Sequence, residues 1–280
     1  MSPFPRSLLF VSCIVALVLA GCRQPSEQAP PGTSPPPSGP VQAVNEALQG
    51  PPKAPKDVAE TTPAYILGIT YPDGIERHPK LAQELQAYAE AERKHLSDAV
   101  ALRAGEAGGL PYDMSLSFVT ALDNPELVVV RADGSRYTGG AHGQPLLRRF
   151  VWLPAQGRML QAADLLTGSD GWQEVSAAVR ESLSTQVSQR LADERLPPAE
   201  QAEAMRNALR MIEEGTRPEP AAFSQFEPVL DANGKISALR FVFAPYEVGP
   251  YSDGQHSAEV PATLLLPHVA PAYRGLFAGG

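Results

Sequence analysis

Tyr137-Thr138-Gly139-Gly140-Ala141-His142-Gly143 sets an imidazole beside paired glycines and a phenol. Adjacent glycines give the backbone access to positive φ and to close approach. Their N–H groups can face an anion or a carbonyl oxygen, with His142 alongside. The same residues also read as structure alone, a tight turn locked by a buried, hydrogen-bonded His142. Tyr246-Glu247-Val248-Gly249-Pro250-Tyr251-Ser252-Asp253-Gly254 is a second cluster. Tyr246, Tyr251 and Asp253 share a Pro- and Gly-rich loop, and tyrosines on a constrained loop offer a partner contact surface at low entropic cost. They serve equally well as packing groups whose hydroxyls anchor the loop. The candidate binding residues are therefore Tyr137, Gly139, Gly140, His142, Tyr246, Tyr251 and Asp253. No catalytic set emerges: there is no Gly-x-Ser-x-Gly elbow. The histidines, His78, His95, His142, His256 and His268, are scattered. His256 and Glu259 would fall on opposite faces of a strand. Neither a metal centre nor a cofactor is expected. Paired carboxylates are defined in space and not by spacing, so a glycan-acting enzyme with His142 as acid or base stays open as the alternative. A purely structural role stays open as well.

Cys22 carries chemistry of another kind. An apolar run from Leu8 ends at Leu19-Ala20-Gly21-Cys22, with Arg6 as the one charge upstream. A basic start, a short apolar core and a small-residue cleavage site define a secretory signal over residues 1–21. The run is about a dozen residues long, too short to span a bilayer comfortably. Leu-Ala-Gly followed by cysteine resembles a bacterial lipobox, which implies lipid on the Cys22 thiol and cleavage before it. Cys13 would leave with the signal, so no disulfide is expected in the mature monomer. Arg23 in place of an aspartate after the lipidated cysteine points, in a Gram-negative host, to an outer-membrane protein facing the periplasm.

The chain has 280 residues and a formal net charge of −8, and the signal would remove one positive charge. An acidic body repels phosphate, so nucleic acid is not an expected partner. It suits a cationic protein instead. From Arg23 to about Lys56 the sequence is rich in Pro, Ser, Gly and Gln, with Pro35-Pro36-Pro37 at its middle. It has too few large apolar residues to offset the entropy of ordering. Residues 22–56 read as a lipidated tether, spanning roughly 30 Å on average and about 100 Å when stretched.

The elements that must position the candidate residues follow. Tyr65, Leu67, Ile69 and Tyr71 alternate as in a strand, and Pro72-Asp73-Gly74 turns the chain. Leu81, Leu85, Tyr88, Leu96 and Ala99 share one face of a helix from Pro79 to about Leu102. Met114, Leu116 and Phe118 predict a strand. Val128-Val129-Val130 predicts another that runs into Asp133-Gly134, a type I′ hairpin signal, before a strand from Leu146 to Leu153. Asp170 with Gln173 has capping-box spacing. Trp172, Val175, Val179, Leu183, Val187 and Leu191 line the helix that follows. Pro197-Pro198 opens a further helix, with Met205, Leu209 and Ile212 inward and Gly215 at its end. Phe223 to Leu230, Ala232-Asn233-Gly234 and Ile236 to Phe243 form a hairpin. A strand around His256 to Val260 and a helical stretch close the chain. Helices and hairpins in blocks, without regular βαβ units, indicate an α+β fold with largely antiparallel sheets. Two subdomains are expected, 57–144 and 145–280.

The two motif segments together resemble a bacterial extracytoplasmic domain family of unknown function. It is shared by the lysozyme-sensing anti-sigma factor of Gram-positive bacteria and the accessory region of a peptidoglycan deacetylase. In that family a Tyr-Thr-Gly-Gly-Ala-His motif ends a strand, and a Tyr-Glu-Val/Ile-Ala-Pro-Tyr-like motif lies near the C-terminus. Ile69-Thr70-Tyr71-Pro72 and the helix after it add to the likeness, which covers about residues 62–270. The chain lacks a sigma-binding segment, a membrane-spanning helix and the metal motifs of the deacetylase domain. The resemblance therefore implies a fold and a link to lysozyme or the cell wall, and no catalytic residue. The expected function is a lipid-anchored, non-catalytic binding or sensing module of the cell envelope, with a lysozyme-like protein or peptidoglycan as partner.

Overall fold

Val128, Val129 and Val130 are all buried, so their strand has an apolar layer on each face. In the computed structural model, which describes residues 54–103 and 109–280, that strand lies inside the larger of two sheets. The six-stranded sheet runs in sequence order through β1 (Val58–Thr61), β2 (Tyr65–Thr70), β3 (Tyr112–Asp123), β4 (Val128–Tyr137), β5 (Gln144–Leu153) and β6 (Arg158–Met159). Only β2 and β3 pair in parallel, and the helix α1 (Pro79–Leu102) lies between them in the chain, the crossover that parallel pairing demands. The second sheet is an antiparallel meander of β7 (Phe226–Leu230), β8 (Ile236–Phe243) and β9 (His256–Pro261). Its helices are α2 (Ala162–Leu165), α3 (Asp170–Asp193), α4 (Pro198–Gly215) and α5 (Ala262–Leu265). The fold is α+β with two mostly antiparallel sheets.

Two apolar cores share β4 and β5. Val128, Val130, Phe150 and Trp152 pack with α1 residues such as Leu81, Leu85 and Leu96. Val129, Val151 and Leu153 pack the other way, against Trp172, Val175 and Val179 of α3 and Phe241 and Phe243 of β8. Strand alternation sends neighbouring residues to opposite faces, and each buried Leu, Val or Phe contributes roughly 1.5–3 kcal/mol. The expected boundary between residues 144 and 145 is therefore corrected. It would part β4 from β5, which pair from Val128↔Trp152 to Arg136↔Gln144.

Local chemistry overturns four finer expectations. Asp133-Gly134 is no hairpin; both residues lie within β4, opposite Ser117 and Leu116. A Cβ on Gly134 would collide with the Ser115 carbonyl oxygen, so the glycine answers a close approach. The actual β3–β4 turn is closed by Asn124, whose Oδ1 accepts from the N–H groups of Glu126 and Leu127 at 2.9 and 2.8 Å. The capping box is not at Asp170, where Ser169 is the N-cap and makes no side-chain cap bond. It joins Gln161 and Asp164 at α2. Leu209 is exposed, while α4 buries Ile212 as expected together with Ala208, and Met205 is partly buried. The strand β1 precedes the start expected near Thr62 and pairs with β2 as an edge. The β7–β8 turn is as expected, with Gly234 at φ 77°. The signal, Cys22 and the tether up to residue 53 lie outside the described residues.

Candidate functional site

The first motif occupies the β4–β5 turn. At its base, Arg136 pairs with Glu92 of α1 and donates to Gln144 Oε1 at 2.6 Å. Gly139 and Gly140 take φ of 99° and 96°, a region glycine enters without a Cβ penalty. The Tyr137 hydroxyl donates to the Gly140 carbonyl at 3.1 Å and closes the turn. His142 is exposed. It is not the buried lock that one reading expected; Tyr137 does that work.

The second motif lies between β8 and β9. Tyr246 holds φ 76°, a left-handed conformation that costs a non-glycine residue roughly 1–2 kcal/mol. The loop around it is fastened at several points. Tyr246 N–H donates to Gly249 O at 3.0 Å, Glu247 N–H to Ala244 O at 3.1 Å, and Ala244 N–H to Glu247 Oε2 at 2.7 Å. Gly215, the last residue of α4, packs so tightly on the Glu247 carbonyl that a Cβ there would overlap it. Its absent side chain thus seats the loop, beyond ending a helix. Asp253, its side chain 7% exposed, forms a 2.7 Å ion pair with Arg190 of α3. The position expected to meet a ligand therefore braces the loop from behind. His256 sits under Gly249 with Nε2 buried and unpartnered. Burial lowers its pKa; Arg190 lowers it further, against the opposing charge of Asp253.

The two motifs meet although they are about a hundred residues apart. His142 Nε2 and the Tyr246 hydroxyl are 3.0 Å apart, within a hydrogen bond whose donor depends on the imidazole tautomer. The Tyr251 ring stands edge-on to His142, with centroids 4.3 Å apart at 82°. Tyr246 and Tyr251 lie 5.5 Å apart. The result is an aromatic cluster in which His142 and Tyr246 are exposed, Tyr246 to 56%, and Tyr251 is half-buried. Of the seven candidate residues, His142, Tyr246 and Tyr251 converge. Tyr137, Gly139 and Gly140 shape the turn that presents His142, and Asp253 faces α3. Among the described residues no group of three or more His, Cys, Asp or Glu is placed to hold a metal, and no helix is long and apolar enough to cross a membrane.

A charged cluster went unforeseen. Arg131 and Arg149 are direct partners on β4 and β5, and Glu227 and Arg240 are direct partners on β7 and β8. The Glu227 carboxylate accepts from Arg131 Nε and Nη2 at 2.8 and 2.5 Å. Arg149 Nε lies 2.7 Å from the same carboxylate but is poorly aligned with it. The signal was present in Leu239-Arg240-Phe241 and in Arg148-Arg149 ahead of Phe150, charges set inside apolar strands.

Solved structures share this fold, among them two of the DUF3298 family. One is a member of the DUF3298 family from Bacteroides fragilis, with 17% identity and a TM-score of 0.52, covering 80% of this chain and 96% of that one. The other is a DUF3298 family protein from Pseudomonas aeruginosa PAO1, with 16% identity and a TM-score of 0.52, covering 81% and 98%. No protein-family model matches the chain, and no curated protein matches it. At such identity the likeness is one of fold.

Proposed function

We propose that the chain is a lipid-anchored protein of the cell envelope whose folded body is a non-catalytic binding module. Its contact surface is the cluster of His142, Tyr246 and Tyr251. The observation that carries this reading is the junction itself. Two loops, each stabilised in positive-φ conformations, bring three aromatic groups together, with His142 and Tyr246 exposed and Tyr251 half-buried. Strained backbone held by its surroundings gathers where a contact must be presented in one geometry. The leader over residues 1–21, followed directly by Cys22, supports attachment to a membrane by lipid, and the tether gives the body reach. The acidic charge favours a basic lysozyme-like protein, since opposite charge speeds encounter. Peptidoglycan is the other partner in view, because tyrosine faces pack on sugar rings. The likeness of the motifs to the anti-sigma factor and deacetylase accessory domain points the same way.

The test is a calorimetric titration of the full chain with a basic lysozyme and, separately, with soluble peptidoglycan fragments. Each is run at low and at physiological salt, with a non-lysozyme protein of similar charge as control. Saturable binding that survives physiological salt and is lost in the Tyr246→Ala, Tyr251→Ala double variant supports the module. Binding equal to the control, or none to either partner, sinks it. The bond between His142 and Tyr246 favours a second reading, a glycan-acting enzyme using His142 as acid or base. Turnover of wall fragments that His142→Ala abolishes in a folded protein would establish that reading instead.

A further inference from the structure

The cleft between the two sheets holds more hydrogen-bond donors than the protein satisfies. It measures about 360 Å³ and is walled by Arg131, Arg149 and Arg240 around the buried Glu227. A guanidinium presents five N–H groups in a rigid fork. Arg131 commits Nε and Nη2 to Glu227. Arg240 commits Nε and Nη2 to Glu259 Oε1 at 3.0 and 2.7 Å, and its Nη1 stands 3.9 Å from Glu227, beyond hydrogen-bond reach. Arg149, with a side chain 3% exposed, uses Nη1 on the Ala132 and Arg148 carbonyls, pairs with Asp133 at 2.9 Å and holds Nε 2.7 Å from Glu227. Among the described residues, Nη1 of Arg131, Nη2 of Arg149 and Nη1 of Arg240 donate to no protein acceptor. Gln255 and Ser257 add polar groups to the same wall.

The arrangement exceeds what welding two sheets requires. A buried carboxylate needs one guanidinium to offset its desolvation, and Arg131 already supplies a two-pronged one. Glu259 answers Arg240 from outside the cleft, which leaves Glu227 and half-exposed Asp133 beside Arg131 and Arg149 within it. Three carboxylates balance the three guanidiniums, so what the cleft offers an anion is unspent N–H groups and not excess charge.

We propose that this cleft is an oxyanion-binding site that takes the carboxylate or phosphate group of a small ligand. Arg131 and Arg240 stand at its mouth and Arg149 at its floor. Guanidinium forks match the paired oxygens of either group, which a lysine point charge would not. The site is separate from the aromatic cluster and stands whether or not that surface binds a partner.

The experiment is calorimetric titration of the full chain with sodium acetate and, in a second arm, with inorganic phosphate, at ionic strength fixed by sodium chloride. Saturable one-to-one binding in either arm, weakened about tenfold or more in Arg240→Gln, is the expected result. The arm that binds names the anion. Should Arg240→Gln fail to fold, nitrogen-detected arginine side-chain resonances of the unaltered protein replace it. Those of Arg131, Arg149 and Arg240 should shift together on titration while other arginines stay still. No saturation in either arm up to about 50 mM overturns the site. So does an affinity unchanged by Arg240→Gln, or shifts spread over all arginines.

Discussion

The loops that meet at His142 are built by opposite means. The β4–β5 turn is anchored at its base by Arg136, but its tip rests on two positive-φ glycines and one bond from Tyr137. The β8–β9 loop is braced from behind by α3 through Arg190 and by α4 through Gly215, with its own backbone bonds between. One is an adjustable finger and the other a fixed platform. Local opening costs least where few packed contacts must be broken. If the cluster binds a partner as proposed, adaptation would fall on the His142 side and preorganisation on the Tyr246 side.

The contrast is open to attack in order of expected effect. Gly215→Ala drives a methyl group into the Glu247 carbonyl, and overpacking against backbone should cost about 3 kcal/mol. A drop in the urea midpoint together with loss of partner binding is the expected pair of readings. Arg190→Ala strands the nearly buried Asp253 carboxylate. The pair is exposed on its arginine side, so the cost should be about 2 kcal/mol, read by thermal melting, with Arg190→Lys restoring part of it.

His256 makes the platform sensitive to pH. Burial lowers its pKa in the fold, so below about pH 6.5 the unfolded chain binds the proton more readily than the folded one. Stability from this group is complete above that pH and drains as pH falls toward the folded pKa. Urea titrations at about pH 7 and about pH 5.5 should differ by less in His256→Gln than in the parent. The smallest effect belongs to the finger. Gly140→Ala meets no neighbour, only an unfavourable φ, and should cost about 1 kcal/mol. It should still weaken partner binding, because His142 would be displaced. A Gly140→Ala cost equal to that of Gly215→Ala would erase the distinction between the loops.

Much of the frame was legible because periodicity is local. The α1 helix has its expected bounds, Pro79 to Leu102, with Leu81, Leu85 and Leu96 buried and Tyr88 and Ala99 half-buried, and the stripe of α3 from Trp172 to Leu191 is buried at all six expected positions. Asp133-Gly134 misled because a hairpin dipeptide and a glycine demanded by a neighbouring strand look alike until Ser115 is placed beside it. The 144/145 boundary failed for a related reason: strand pairing leaves no mark on composition. At the site, both motifs stood out, yet neither hinted that His142 would touch Tyr246. Asp253 was misassigned because an exposed acid and an acid held by a helix arginine share one letter. The guanidinium cleft needs residues from four strands and was invisible to spacing.

The strands β4 and β5, buried on both faces, bear on how the molecule could be divided. They are a party wall, each side of which is the interior of one room. A cut that spares the α1 room strips the α3 room of its lining, and the reverse holds. Neither half of the chain could therefore be cut away without baring an apolar face to water, whereas the His142 turn, at the opposite end of β4 and β5 from Val128, Val129 and Val130, could change shape without disturbing either room.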